Sequence, residues 1–231
     1  MDYNYKLLRA ETIDCYNDLI VDAKLSDGQI FPAFCGAVEI AEMCKAGTPL
    51  WLKRTSKNKR LIKYNIAFVQ TPEGIVFANP KYNKQLFKEA FDNGILTDFA
   101  GYDDCRPLKS AENPEGLDFE LTAKDGKKCY VFVTSVYNKQ NGCAVFPHAI
   151  NFFEMKMFEE MARRIRQGHE ACIFMIVPRE DCVSARFVWN LDAKAAAAMF
   201  DAAQNGLKFL CYGCKIAPNR VEINRKMEIL Y

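Results

Sequence analysis

The chain has 231 residues, 50% of them hydrophobic and 26% charged, a composition that fits a packed globular protein with room for one large domain or two small ones. Lys and Arg number 31 against 29 Asp and Glu, so the net charge of +2 gives no global sign of a polyanion partner. No apolar run approaches the roughly 18 residues needed to cross a bilayer, and MDYNYKLLRAE lacks an apolar signal core, so no membrane partner and a cytoplasmic location are expected.

Residues 15–78 read as short strands separated by turns. In CYNDLIVDAKLSDGQIFPAFC, Ser26-Asp27-Gly28 separates two alternating segments, which is a hairpin signal. Leu50 to Lys53 and Leu61 to Gln70 are further strands. Thr71-Pro72-Glu73-Gly74 is a turn, and Gly74 to Ala78 a last strand. So many strands in so short a stretch predict a small β-barrel. One of its hairpins carries KRTSKNKRLIK, six basic residues and no acid from Lys53 to Lys63. Such a run is a solvated face or a phosphate contact.

The pattern changes after Asn79. Lys84 to Asn93 reads as a helix with Leu86, Phe87, Ala90 and Phe91 on one face and Gly94 as its stop. Strands follow near 103–109, 117–121 and 129–136, the last two joined by a tight Asp125-Gly126 turn. A helix from about Ala149 to Gln167 carries a stripe of Phe153, Met157, Met161 and Ile165. Then come a strand at 171–177, a helix that Asp192 can cap, and the strand LKFLCYGCKI. Strands mixed with helices in this order predict an α/β (α+β) layer fold, a sheet covered by helices.

Ten cysteines are spread through the chain, several inside apolar strands, where they act as small hydrophobes and are expected to be reduced. Cys211 and Cys214 form a lone C-x-x-C. A zinc site would need a second pair or nearby histidines, and the chain has only His148 and His169, so no metal site is expected there.

LIVDAKLSDGQIFPAFC, ANPKYNKQLFKEAFDNGILTDFAGY, GLDFELT, CYVFVTSVYN, GCAVFPHA, GHEACIFMIVPRED and NLDAKAAAAMFDAAQNGLKFLCY occur in the order seen in the sugar fermentation stimulation protein (SfsA) family. The chain resembles that family over nearly its full length. The resemblance implies an OB-like small β-barrel over residues 1–78. It implies a PD-(D/E)xK nuclease-like domain over 79–231, with a mixed sheet flanked by helices. It also implies DNA binding and a link to the regulation of sugar-utilisation genes.

In that nuclease fold an aspartate and a glutamate on adjacent strands hold a divalent ion, which activates water, and a lysine two residues past the glutamate shares its strand face. This sequence keeps the aspartate as Asp118, but Phe132 stands at the glutamate position and Thr134 at the lysine position. The acid after Phe-Pro becomes His148, and Asn151, Phe152 and Phe153 follow, while Asp118, Ser135, Phe146, Pro147, Lys156, Arg179 and Asp192 are retained. Phenylalanine offers a metal no lone pair and threonine carries no charge. The expectation is therefore the remnant of a site. Two substitutes are open to test: Glu120, placed by strand alternation on the side of Asp118, and Lys156, from the long helix.

Three functions follow. The first is an inactive nucleic-acid-binding protein contacting DNA, without strong sequence preference, through Arg9, Lys53, Arg54, Lys57, Lys59, Arg60 and Lys63, with Tyr64 or Trp51 stacking bases. It needs no cofactor. The second is a metal nuclease with migrated residues, which alone would need Mg²⁺. The third is a protein-interaction module whose old cleft is filled by Phe132, Phe152 and Phe153.

Overall fold

β1 (Leu7–Tyr16), β2 (Ile20–Leu25) and β3 (Ile30–Phe34) form an antiparallel meander. The structure is a computed structural model that describes residues 1–16, 18–55, 61–109, 116–147, 152–188 and 193–230. β1 also pairs with β4 (Pro49–Arg54), and β4 with β5 (Tyr64–Thr71). β5 returns parallel to β3 through Ala33↔Tyr64 and Phe34↔Asn65. That last pairing closes a five-stranded barrel of the OB type, with α1 (Val38–Met43) crossing between β3 and β4. β6 (Gly74–Phe77) extends β5 as a hairpin.

In β5 the run Ile66–Val69 is wholly buried. Ile66 and Val69 fill the barrel, whereas Ala67 and Phe68 join the core of the second unit. A strand covered on both faces needs such an unbroken apolar run. The strand expected from Leu61 begins only at Tyr64, and Leu61 is 98% exposed.

The second unit is a nine-stranded mixed sheet. After α2 (Asn83–Asp92) come β7 (Asp104–Pro107), β8 (Phe119–Thr122) and β9 (Lys128–Ser135). β10 (Lys139–Gln140) and β11 (Cys143–Phe146) precede α3 (Phe152–Arg166). The chain ends with β12 (Glu170–Val177), β13 (Ser184–Phe187), α4 (Ala193–Gln204), β14 (Lys208–Ala217) and β15 (Arg220–Leu230). β12 lies inside the sheet, parallel to both β9 and β14. α2 buries Leu86, Phe87 and Ala90 against Phe119, Leu121, Val131 and Phe174 on one face. α3 buries Met157, Phe158 and Met161 against Tyr130, Ile173 and Met175 on the other. β10, β11, β13 and β15 add to the predicted strands; three of them have only two to four residues.

The β5–β6 hairpin meets this sheet through its backbone, Val76 bridging Arg179. Phe77 N–H donates to Pro178 O at 3.0 Å. Arg179, 5% exposed, donates to Tyr137 O at 2.6 Å and forks onto Asp181 at 2.7 and 2.8 Å. Gly36 packs against Pro80, where a Cβ would stand 2.5 Å from Pro80 Cδ. No helix among the described residues is long and apolar enough to cross a membrane.

Candidate functional site

Asp125 and Gly126 make the expected turn: Gly126 takes φ +83°, and Lys127 N–H donates to Asp125 Oδ1 at 2.9 Å. The turn fixes the β8–β9 register, Phe119↔Val131 and Glu120↔Tyr130. One step before β8, Asp118 N–H donates to Val131 O at 2.8 Å. Asp118 therefore lies beside Phe132 in the register.

Asp118 is buried, its side chain 6% exposed, and each of its carboxylate oxygens has a partner. Oδ2 accepts from Val133 N–H at 2.7 Å, and Oδ1 lies 2.6 Å from Lys84 Nζ, which reaches it from the first turn of α2. Burial pushes this carboxyl above its ordinary value, against the pull of Lys84 and the Val133 N–H. Lys84 marks only the start of a helix in the sequence. Nothing in its spacing announces the contact with Asp118.

Phe132 and Thr134 alternate with Val131 and Val133, which join the α2-side core, so they point toward α3, and Phe132 packs on the α3-side core. The groups described at the Asp118 carboxylate are thus an ammonium and a backbone N–H. A hard divalent ion needs several oxygen ligands, and these groups do not fit one. Among the described residues no group of three or more His, Cys, Asp or Glu is arranged to hold a metal.

The structure corrects the pairing of Asp118 with Glu120. Alternation fails because β8 begins only at Phe119: Leu117 joins the α3-side core and Phe119 the α2-side core. Glu120 has its own cations, Lys128 Nζ at 3.2 Å and Arg106 Nη2 at 3.4 Å. Burial raises its carboxyl, but Lys128, Tyr130 and Arg106 together outweigh that and hold it below the ordinary value. Lys156 stands exposed on α3, and the cation at Asp118 is Lys84 instead. Of the other retained positions, Arg179 forms a backbone bridge with Val76 of β6, and Ser135 Oγ lies 2.8 Å from the Asn83 amide at the start of α2. His148, Asn151, Asp192 and the side chains of Phe152 and Phe153 lie outside the described residues.

On the barrel, Lys57, Lys59 and Arg60 also fall outside the described residues. The Arg9 guanidinium lies 3.8 Å from the ring centroid of Trp51, which is 5% exposed and belongs to the core, so Trp51 does not offer a face for a base. Lys53 Nζ sits 3.0 Å from the Tyr5 ring centroid and donates to Tyr82 Oη at 2.7 Å, so it is held by tyrosines. Arg54 and Lys63 are exposed. A groove of about 340 Å³ at this end of the barrel is lined by Tyr5, Lys6, Leu8, Lys53, Arg54 and Tyr64. Tyr5 and Lys6 enter from the segment before β1, a neighbourhood that sequence order hides.

All ten cysteines are free. Cys211 belongs to the α3-side core and Cys214 to the α2-side core, so they lie on opposite faces of the sheet and cannot chelate together.

The family model described as "Sugar fermentation stimulation protein RE domain" matches residues 81–220. A "Sugar fermentation stimulation protein homolog" of Maricaulis maris is 29% identical over 99% of this chain and 98% of its own length. One of Geotalea uraniireducens is 29% identical over 96% of each. Among solved structures, that of Pyrococcus furiosus SfsA in complex with Ca²⁺ superposes with a TM-score of 0.83, at 15% identity, over 100% of this chain and 98% of the other.

Proposed function

The chain belongs to the SfsA family, and from that premise we propose that it is a cytoplasmic DNA-binding protein whose nuclease-type site does not assemble a catalytic metal. The observation that carries this reading is the state of Asp118: its carboxylate is taken up by Lys84 Nζ and Val133 N–H, while Phe132 turns toward the α3-side core. An ammonium within hydrogen-bond distance of the aspartate competes with any divalent ion for the same oxygen. Binding is assigned to the barrel groove and the basic β4–β5 connection. Lys6, Arg54, Lys63, Lys57, Lys59 and Arg60 would meet phosphates there, and Tyr5 or Tyr64 a base. Phosphate contacts carry no sequence information, so weak sequence preference is expected. The cytoplasmic placement is supported by ten unpaired thiols. The link to sugar-utilisation genes is part of the proposal and is tested by transcript profiles of a deletion strain.

The test is a fluorescence-anisotropy titration with labelled double-stranded DNA, single-stranded DNA and RNA, at two salt concentrations, with and without Mg²⁺ or Mn²⁺. The same samples are run on a denaturing gel. Salt-sensitive binding without cleavage is the expected result. Metal-dependent cleavage would overturn the inactive site. It would favour the competing reading, a nuclease with relocated ligands, which has one observation in its support: the Pyrococcus furiosus relative of the same fold is described in complex with Ca²⁺.

A further inference from the structure

Glu120 and Glu160 are buried acids on separate elements, β8 and α3, and the described structure gives each of them two cations. Lys128 and Arg106 meet Glu120. Arg163 forks onto Glu160 at 2.6 Å through both Nε and Nη2, and Arg164 Nε reaches the same carboxylate at 2.6 Å. Tyr130 joins the two groups. It is the register partner of Glu120, its hydroxyl accepts from Arg164 Nη1 at 3.0 Å, and the Arg164 guanidinium lies 4.3 Å from its ring centroid. The result is one continuous network across the α3 side of β8 and β9.

Its charges are sorted by depth. The Glu120 and Glu160 side chains are 11% and 8% exposed, whereas Arg106 and Arg163 are each 47% exposed and Lys128 37%. The carboxylates lie at the base and fix the cations in place, while the cations face solvent. Arg166 is exposed three residues beyond Arg163, on the neighbouring turn of the same helix side. Five cations stand against the two buried carboxylates and the exposed Glu159, one turn before Arg163 on α3, and Asp104, on the Arg106 side of β7, so this face keeps an excess of positive charge.

We propose that this Arg106–Lys128–Arg163–Arg164–Arg166 face is a second nucleic-acid contact, separate from the barrel, that binds the phosphate backbone of duplex DNA. The inference rests on the nucleic-acid reading given above. Duplex is favoured over single strand because Tyr130 is 3% exposed and covered by Arg164, and the His169 ring beside it packs edge-on at 5.7 Å, so the face presents no row of open rings for unpaired bases. Held guanidiniums suit phosphate oxygens, and each phosphate neutralised changes the salt dependence of binding by about 0.9 in log–log slope on B-DNA.

The experiment is an anisotropy titration of a labelled DNA duplex over a series of salt concentrations, with full-length protein. Arg163→Gln/Arg166→Gln is expected to lower the slope by about 2, and Arg166→Gln alone by about 1. Arg166→Gln leaves both buried carboxylates with their cations and so does not endanger the fold, which melting curves check. Lys24→Gln/Lys45→Gln removes the same charge from exposed barrel positions and is expected to leave the slope unchanged. Wild-type binding that the Arg163/Arg166 variant retains with an unchanged slope overturns the second contact alone. A slope lowered equally by the Lys24/Lys45 control overturns it as well, since net charge would then suffice. Wild-type protein that binds no duplex at any salt concentration overturns the nucleic-acid reading, and this face with it.

Discussion

Replacing Lys84 with methionine isolates the ion pair at the candidate site. Asp118's side chain is 6% exposed and Lys84's 59%, so the pair lies between a surface bridge and a buried one. Exposed pairs contribute about 0.2–1 kcal/mol and hydrogen bonds to charged groups about 1.5–3, and we expect Lys84→Met to cost about 1–2 kcal/mol at neutral pH. For a chain of this length that is a Tm lower by about 3–6 °C. The pH dependence is the sharper test. The folded-state value of Asp118 is raised by burial, so ionised Asp118 already costs stability, and that cost disappears as pH falls below the unfolded value of about 3.9. Without Lys84 the folded value rises further. The variant's deficit should be complete at neutral pH and fade in acid as Asp118 takes up its proton. Melting curves of wild type and variant from about pH 3 to about pH 8 measure it. An equal deficit at both ends would refute the ion pair as the cause and point to lost packing of the lysine stem.

Three further outcomes are expected. Gly36→Ala places a Cβ 2.5 Å from Pro80 Cδ and 2.9 Å from Cγ, forcing the barrel seat apart at a cost of about 1–3 kcal/mol, read as a lower Tm. Asp181 is opposed by burial but held at about 2 by Arg179 and Lys139. Its contribution is present above the unfolded value of about 3.9 and is lost as pH falls toward the folded one, so Asp181→Asn should lower stability at neutral pH and flatten the acid limb of the melting profile. Asp118→Ala should leave DNA affinity within about threefold, less than the tenfold that 1.4 kcal/mol represents, since phosphate contact is assigned elsewhere; a larger loss by anisotropy would return Asp118 to a binding role.

What the sequence discloses depends on whether a signal is local. The Asp125-Gly126 turn sets the β8–β9 register by itself, and the buried run of β12 reads as a strand because both its faces are covered. β15 turns Val221 and Ile223 to the α2-side core but Met227 and Ile229 to the α3-side core, and the irregular register at Asn224–Arg225 that switches the faces conceals the pattern. β10, β11 and β13 are too short for periodicity to register. The site follows the same rule. Asp118, Phe132 and Thr134 are found along two adjacent strands, and the structure keeps them adjacent. Lys84 is brought to Asp118 by the packing of α2 on the sheet, and Tyr5 and Lys6 reach Tyr64 by closure of the barrel.

The misplacement of Glu120 shows how a sound local rule fails. Alternation would put it with Asp118, yet the strand starts between them, and one irregular residue changes which cations each acid meets. Two carboxylates that could have shared one ion are instead neutralised separately, Asp118 by α2 and Glu120 by the rim of the α3 face. Their oxygens face internal ammonium and guanidinium groups, which is the basis of the proposed inactive site. Replacing Phe132 with glutamate would restore one ligand without freeing Asp118, so metal binding should require Lys84→Met in addition to Phe132→Glu. Calorimetric titration of Mn²⁺ into the two single variants and the double variant decides the point: binding by Phe132→Glu alone would show that Lys84 does not block the site.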